Sequence, residues 1–194
     1  MNKIFHGDCL EVLTKLQSES IDCIVTSPPY WALRDYGVSG QLGRESTFEE
    51  YITKLCDIFD EVKRVLKNKG TCWINISDTY SGTGHKNNST DPKYKDGRNG
   101  QKISLNNKTN VPNKCLCCIP DRFKIEMINR GWICRNEIIW HKPNCMPSSV
   151  KDRFTVDYEK VFFFVKNKKY YFNQQLEKSI WAERDKRAIK GGIS

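Results

Sequence analysis

Long apolar runs are missing from this chain. Uninterrupted apolar stretches reach only five residues, as in Val161–Val165, far short of the roughly 20 that a membrane span needs. Met1-Asn2-Lys3 does not lead into an apolar signal core, so the expectation is a soluble, cytoplasmic protein with no membrane partner. A zinc site usually shows two paired-ligand spacings of the C-x-x-C or H-x-x-x-H kind, and two such pairs are not present. Cys115, Cys117 and Cys118 form a C-x-C-C cluster with Cys134, His141 and Cys145 downstream, a loose fit to metal ligation. Cys117 and Cys118 run straight into Ile119, as small buried hydrophobes do. No metal is expected, and the nine cysteines are expected as reduced thiols. Acidic residues are in deficit: 23 against 32 basic ones, a net charge of +9. That excess favours a polyanionic partner, either nucleic acid or a membrane surface. Otherwise the composition is ordinary for a globular chain, 38% hydrophobic and 28% charged, and 194 residues suit one domain.

Strands and helices alternate along the chain. Lys3–His6 reads as a short strand ending at Gly7-Asp8, and Cys9 to Leu16 carries apolar residues at a helical period. Ile21–Thr26 is a β-branched run stopped by Pro28-Pro29. Thr47 and Glu50 make a capping box for a helix whose stripe is Phe48, Tyr51, Ile52, Leu55, Phe59, Val62 and Leu66, with Gly70 at its end. Thr71–Ile76 follows as a buried strand, then a helix over 120–129 that stops before Gly131. Strands are expected at Arg135–Trp140 and Lys160–Val165, the latter turning through Lys166–Lys169 into Tyr170–Asn173. The expected fold class is α/β: a mostly parallel sheet with helices packed on it and an antiparallel hairpin at the edge.

Residues 81–114 interrupt this alternation. They hold seven lysines or arginines against two aspartates, with seven asparagines and four glycines. One reading is a solvated insertion, tolerated because loop entropy grows slowly with length. The other, favoured because its charge matches a nucleic-acid partner, is a flexible basic arm that tracks a phosphate backbone.

The segment richest in chemistry is Thr26-Ser27-Pro28-Pro29-Tyr30-Trp31. A strand delivers Ser27, Pro28, Pro29 and Tyr30 to its carboxyl end, where ligands bind in open α/β sheets. Two successive prolines remove both backbone donors and fix φ, leaving carbonyl oxygens in a rigid turn. An acceptor-rich, donor-poor site of this kind suits an exocyclic amine, and the neighbouring rings offer a stacking face. The plainer alternative is an ordinary proline turn with a core tyrosine.

In this context the sequence resembles the DNA amino-methyltransferases, which methylate cytosine N4 or adenine N6. The resemblance runs through Gly7-Asp8-Cys9-Leu10, Thr26–Tyr30, Arg64-Val65-Leu66-Lys67 and Trp73–Asp78. It continues in Ile119–Phe123, Gly131-Trp132 and Arg135–Asn144. It implies a Rossmann-like S-adenosylmethionine-dependent methyltransferase fold, double-stranded DNA as partner, and S-adenosyl-L-methionine as cofactor. It also implies that the target base is flipped into the Ser-Pro-Pro-Tyr pocket. Ser27 Oγ and the Pro28 carbonyl would accept hydrogen bonds from its amine while Tyr30 stacks on it. Transfer would be an in-line displacement in which positioning supplies much of the acceleration. Methylation at cytosine C5 would need the Pro-Cys nucleophile of another family, and no Pro-Cys occurs here. Ser27, where many adenine enzymes carry Asp or Asn, favours cytosine N4, with adenine N6 as the alternative.

Other candidates carry two readings each. Asp8 resembles the acidic residue that contacts the cofactor's adenine, and serves equally as a helix N-cap. Asp78 follows a strand end and either lines the cofactor pocket or closes a turn. His141, Lys142, Lys151 and Arg153 look like DNA-backbone contacts or a solvated charged face. Arg135 and Glu137 alternate on a strand and can simply pair with neighbours.

The resemblance fails at one place. The family's Phe-x-Gly-x-Gly cofactor motif is absent, and Gly82-Thr83-Gly84 is not followed by an apolar helix. In the permuted group that this chain resembles, that motif and the recognition region lie beyond the last residue here. The expectation is therefore an incomplete, partial catalytic domain over 1–194, completed by a second polypeptide and not necessarily active without it. An unpaired sheet edge would be an association liability. Non-catalytic DNA binding, a zinc-stapled nucleic-acid module and an RNA substrate remain alternatives.

Overall fold

The computed structural model describes residues 2–33, 36–82, 110–145 and 147–174. The core of the basic stretch, 83–109, lies outside the described residues, so the arm expected there is not addressed by the structure. Seven elements follow in order: α1 (Cys9–Thr14), β1 (Ile21–Thr26), α2 (Phe48–Val65), β2 (Leu66–Ile76), α3 (Ile119–Asn129), β3 (Ile133–His141) and β4 (Tyr158–Val165). The sheet order is β1-β2-β4-β3.

Helix α2 forms where its cap predicts, although the Glu50 carboxylate accepts from the Ser46 amide in place of the Thr47 amide that a full capping box would use. Thr47 accepts from the Glu50 amide, and the stripe from Phe48 to Val62 is buried against the sheet. Each such side chain is worth about 1.5–3 kcal/mol of transfer from water. The helix ends earlier than its glycine suggests, because Leu66 is already extended and begins β2. Gly70 is needed for a different reason. A Cβ there would lie 2.9 Å from the Asp22 carbonyl and 2.7 Å from Leu66 Cδ1, where the β1–β2 register shifts.

The strand directions depart from the expected, mostly parallel sheet. β1 pairs parallel with β2, but β4 is antiparallel to both β2 and β3. β4 is therefore an interior strand and not part of an edge hairpin. The reason is the run Val161–Val165, which is apolar on both faces, as fully covered strands are. Phe162 and Phe164 join the helix-side core, while Phe163 stacks on Trp73 at 4.1 Å. Tyr170–Asn173 forms no strand. Tyr171 donates its amide to the Lys69 carbonyl, and the rings of Tyr170 and Phe172 fold onto Phe163. Lys3–His6 is likewise no strand; it has no described partner, and Ile4 is 98% exposed.

The described helices sit on the face bearing Cys72, Ile74, Ile76, Phe162 and Phe164. β1 is an edge strand among the described residues, with Val25 77% exposed. The carboxyl ends of β1 and β2 meet the amino end of β4, and there the candidate site lies. Among the described residues no helix is long and apolar enough to cross a membrane.

Candidate active site

Ser27, Pro28, Pro29 and Tyr30 leave the end of β1 and line a cavity of about 240 Å³ with Leu33 and Tyr36. The turn is clamped from behind. Tyr51 of α2 donates its hydroxyl to the Pro29 carbonyl at 2.9 Å. The Gly43 carbonyl accepts from the Ala32 amide, and Gly43, at φ +92°, passes so close that a Cβ would lie 2.8 Å from the Tyr30 carbonyl. Glu45, buried, accepts from the Gly43 amide, while the Trp31 indole donates to the Glu45 carbonyl. No described residue donates to the Pro28 carbonyl.

Behind the turn lies a hydrogen-bonded group. Tyr30 Oη is 2.8 Å from Asn75 Oδ1 and 3.2 Å from Glu159 Oε2. Ser27 Oγ is 3.2 Å from both Tyr30 Oη and Asn75 Oδ1. Asn75 donates Nδ2 to the Lys160 carbonyl, which fixes the orientation of its amide. Lys142 pairs with Glu159. Burial pushes the Tyr30 phenol up, with the Glu159 charge adding to it. Burial alone would raise Glu159 as well, but the Lys142 ammonium and its other donors hold it below the usual carboxylate range.

A larger cavity of about 640 Å³ adjoins the first at Leu33 and is lined by Asp78, Tyr80, Lys142, Arg153 and Glu159 among others. Arg153 lies over the Tyr80 ring at 4.0 Å. Lys142 and Arg153 thus reach this cavity, whereas His141 and Lys151 stand exposed outside it, His141 being 3.6 Å from Asp157. Asp78 accepts from the Ile119 amide at 3.0 Å, capping α3, and from its neighbour Thr79. Asp8 caps α1 through Leu10 and Glu11 and lines neither cavity. The two acidic candidates therefore do not converge.

Asn75 and Glu159 were not singled out by sequence reasoning. Their signal was there: a polar residue inside the apolar run Trp73–Ile76, and a carboxylate at the head of β4. Arg135 and Glu137 follow the plainer reading, bonded to Tyr170 and to Lys124 and Lys160. Cys117 is buried, and burial pushes its thiol up to about 11. Among the described residues no three metal-binding side chains converge.

A prolyl turn presenting acceptors at a strand end is the arrangement expected of an amine-methylating site. The sequence profile of the N6/N4 DNA methylase family matches residues 21–192. The chain belongs to this family. It is 44% identical over 173 residues to the Type II methyltransferase M.SmaI of Serratia marcescens, covering 88% of this chain and 58% of that one. It is 40% identical to M.Cfr9I of Citrobacter freundii, covering 96% of this chain and 62% of the relative. The chain thus spans about three fifths of the length of these relatives. Among solved structures, the cytosine-N4-specific PvuII DNA methyltransferase superposes with a TM-score of 0.57 at 22% identity, over 84% of this chain and 48% of that one. TTHA0409 of Thermus thermophilus, solved with S-adenosyl-L-methionine, gives 0.55 at 20% identity, over 87% and 55%. These likenesses establish the α/β methyltransferase fold for the described methylase elements.

Proposed function

We propose that this chain carries the base-accepting side of a DNA methyltransferase that modifies an exocyclic amine, with cytosine N4 as the target. The observation that carries this is the Ser27–Pro28 pair of acceptors on a clamped turn beside Tyr30. A flipped base entering there would offer two amine hydrogens to Ser27 Oγ and the Pro28 carbonyl. That draws the nitrogen lone pair out of conjugation and directs it toward the methyl donor. Tyr30 holds the base by stacking; the nitrogen takes the methyl group directly, with no covalent enzyme intermediate, and releases its extra proton to solvent. S-adenosyl-L-methionine supplies an electrophilic methyl group when bound, and family membership together with the Thermus complex supports it as the donor.

Ser27 supports N4 over N6, as does the specificity named for the PvuII neighbour. Adenine N6 is the competing outcome, since a 71-residue match at 34% identity links the chain to the DNA adenine methyltransferase YhdJ of Escherichia coli. The Type II names of the relatives support a place beside a restriction enzyme. Double-stranded DNA is the proposed partner, contacted by Lys142, Lys151, Arg153 and His141. A further segment or second polypeptide is proposed to pair with the edge of β1, where Val25 is exposed, and to complete the donor site, for which Asp8 and Asp78 are the proposed acidic contacts.

Calorimetric titration of S-adenosyl-L-methionine into the folded chain, followed by transfer of labelled methyl to duplex DNA, tests this. Label recovered as N4-methylcytosine, lost in Ser27→Ala, is the expected result. Label in N6-methyladenine moves the assignment to adenine. Full donor binding and turnover by the monomer would remove the need for a second polypeptide.

A further inference from the structure

We infer that Glu159, held by Lys142, is a positioning residue that fixes the direction of hydrogen bonding around Tyr30 and so forces Ser27 to act only as an acceptor toward the substrate. The inference rests on the proposed amine-methylating function.

The argument is a count of hydrogens. An ionised Glu159 and the Asn75 amide oxygen are acceptors only. The Asn75 amide cannot usefully turn around, because its nitrogen donates to the Lys160 carbonyl. Lys142 and the Asn75 amide also meet Glu159, and beside them two hydroxyl hydrogens face the two acceptors, one on Tyr30 and one on Ser27. If Tyr30 donates to Glu159, Ser27 donates to Asn75. If Tyr30 donates to Asn75, Ser27 donates to the Tyr30 oxygen or shares Asn75. In both of these arrangements the Ser27 hydrogen is used inside the group and its lone pairs face outward. An amine, which brings hydrogens of its own, meets acceptors at both Ser27 and Pro28. Lys142 contributes by keeping the Glu159 carboxylate charged on its far side.

Replacing Glu159 by glutamine adds a donor where only an acceptor stood. The glutamine amide can then donate to the Tyr30 oxygen, Tyr30 can donate to Ser27, and the Ser27 hydrogen is released toward the incoming amine. The substitution is nearly isosteric, so packing changes little. Tyr30→Phe keeps the stacking ring but removes the link through which the reversal travels, leaving Ser27 to donate to Asn75.

The test is a double-substitution cycle in the full chain, with duplex DNA and S-adenosyl-L-methionine. Glu159→Gln should lower kcat about tenfold or more while the KM for DNA stays near that of the parent. Tyr30→Phe alone should lower kcat less than Glu159→Gln does, and in the Glu159→Gln background it should raise kcat above that of Glu159→Gln alone. A structural role for Glu159 would not be relieved by removing a second hydroxyl. Wild-type turnover in Glu159→Gln, or no recovery in the double variant, overturns the inference.

A parent chain that transfers no methyl group at all counts against the proposed function, and a second measurement then decides the inference. Tyrosinate absorbance, taken as the difference from Tyr30→Phe, reports ionisation of the Tyr30 phenol. Glu159→Gln should shift that ionisation to lower pH, because a neighbouring negative charge is removed. An unmoved titration overturns the inference.

Discussion

Glu159 and Lys160 are adjacent on β4, yet they belong to two different charge groups. A strand's period of two sends them to opposite faces of the sheet. Lys160 is 2.9 Å from Asp121 and 2.8 Å from Glu137, and Lys124 bridges the same two carboxylates. Two cations meet two anions, and the charges balance. Around Glu159 the charges also balance, Lys142 against one carboxylate, but the hydrogen-bonding capacity does not. One cation and two hydroxyls face the carboxylate and an amide oxygen, and the surplus of acceptors opens at Ser27 and Pro28 onto a cavity. A balanced group holds α3 to the sheet. The other leaves acceptors open, as the proposed amine-bearing base would require.

The substitution that most sharply breaks this comparison is Ser27→Ala. It removes an acceptor on the open side and nothing from the balanced group. Methyl transfer per folded molecule should fall about 100-fold or more, by analogy with loss of one oriented hydrogen-bonding group at a reacting atom. Unfolding in urea should be displaced by less than about 1 kcal/mol, because the serine is exposed. A rate within a few-fold of the parent would show that Pro28 alone orients the amine.

Lys124→Met gives the converse. It leaves Lys160 alone with Asp121 and Glu137, so two partly buried carboxylates share one cation. The side chains are 19–37% exposed, which reduces the penalty well below that of a fully buried pair. A loss of about 1–2 kcal/mol in urea unfolding is expected, with transfer per folded molecule unchanged. If turnover fell instead of stability, the two groups would not be separable.

Acid sharpens the same contrast. Burial would raise Asp121, but hydrogen bonds from Lys160 and Lys124 outweigh it and hold the carboxyl below its usual range. For Glu137 the balance is the same, with Lys124 and then Lys160 prevailing over burial. Both groups have folded pKa values below their unfolded ones. Their stabilisation is therefore complete above the unfolded carboxylate range, near pH 4, and is lost as pH falls through the lowered folded values. Unfolding measured from pH 6 downward should weaken in that acid window, and less so in Lys124→Met. An equal acid slope in both proteins would remove these carboxylates as its source.

How much of this was legible in the residues depends on whether the cause was local. Thr47 and Glu50 announce α2, and Ile21–Thr26 announces β1, because caps and β-branched runs act within a few residues. The prolyl turn was legible for the same reason. The place of β4 was not. Val161–Val165 states that the strand is covered on both sides, but which strands flank it is settled by Trp73 stacking on Phe163 and by β3 returning alongside. Gly70 reads as a helix stop in sequence, though its cause is the backbone of Asp22 on the neighbouring strand β1, remote in the chain. Asn75 and Glu159 acquire meaning only where β1, β2 and β4 meet. Asp8, by contrast, satisfies its local cap reading in full, and nothing in the described structure adds to it.

The smallest effect concerns the outlying cations. Lys151 is exposed and outside both cavities, whereas Arg153 lines the larger one with its guanidinium over Tyr80. If Lys151 only meets a phosphate, Lys151→Ala should weaken duplex binding equally for all sequences and lower the salt slope by about one. Stability should stay within about 0.5 kcal/mol of the parent. Arg153→Ala, which also uncovers the Tyr80 ring, should lose more affinity than one phosphate contact accounts for. Binding isotherms across a salt series separate the two. Equal slopes and equal losses would mean that the cavity mouth and the outer surface meet DNA in the same way, and that the stacked arginine adds nothing beyond its charge.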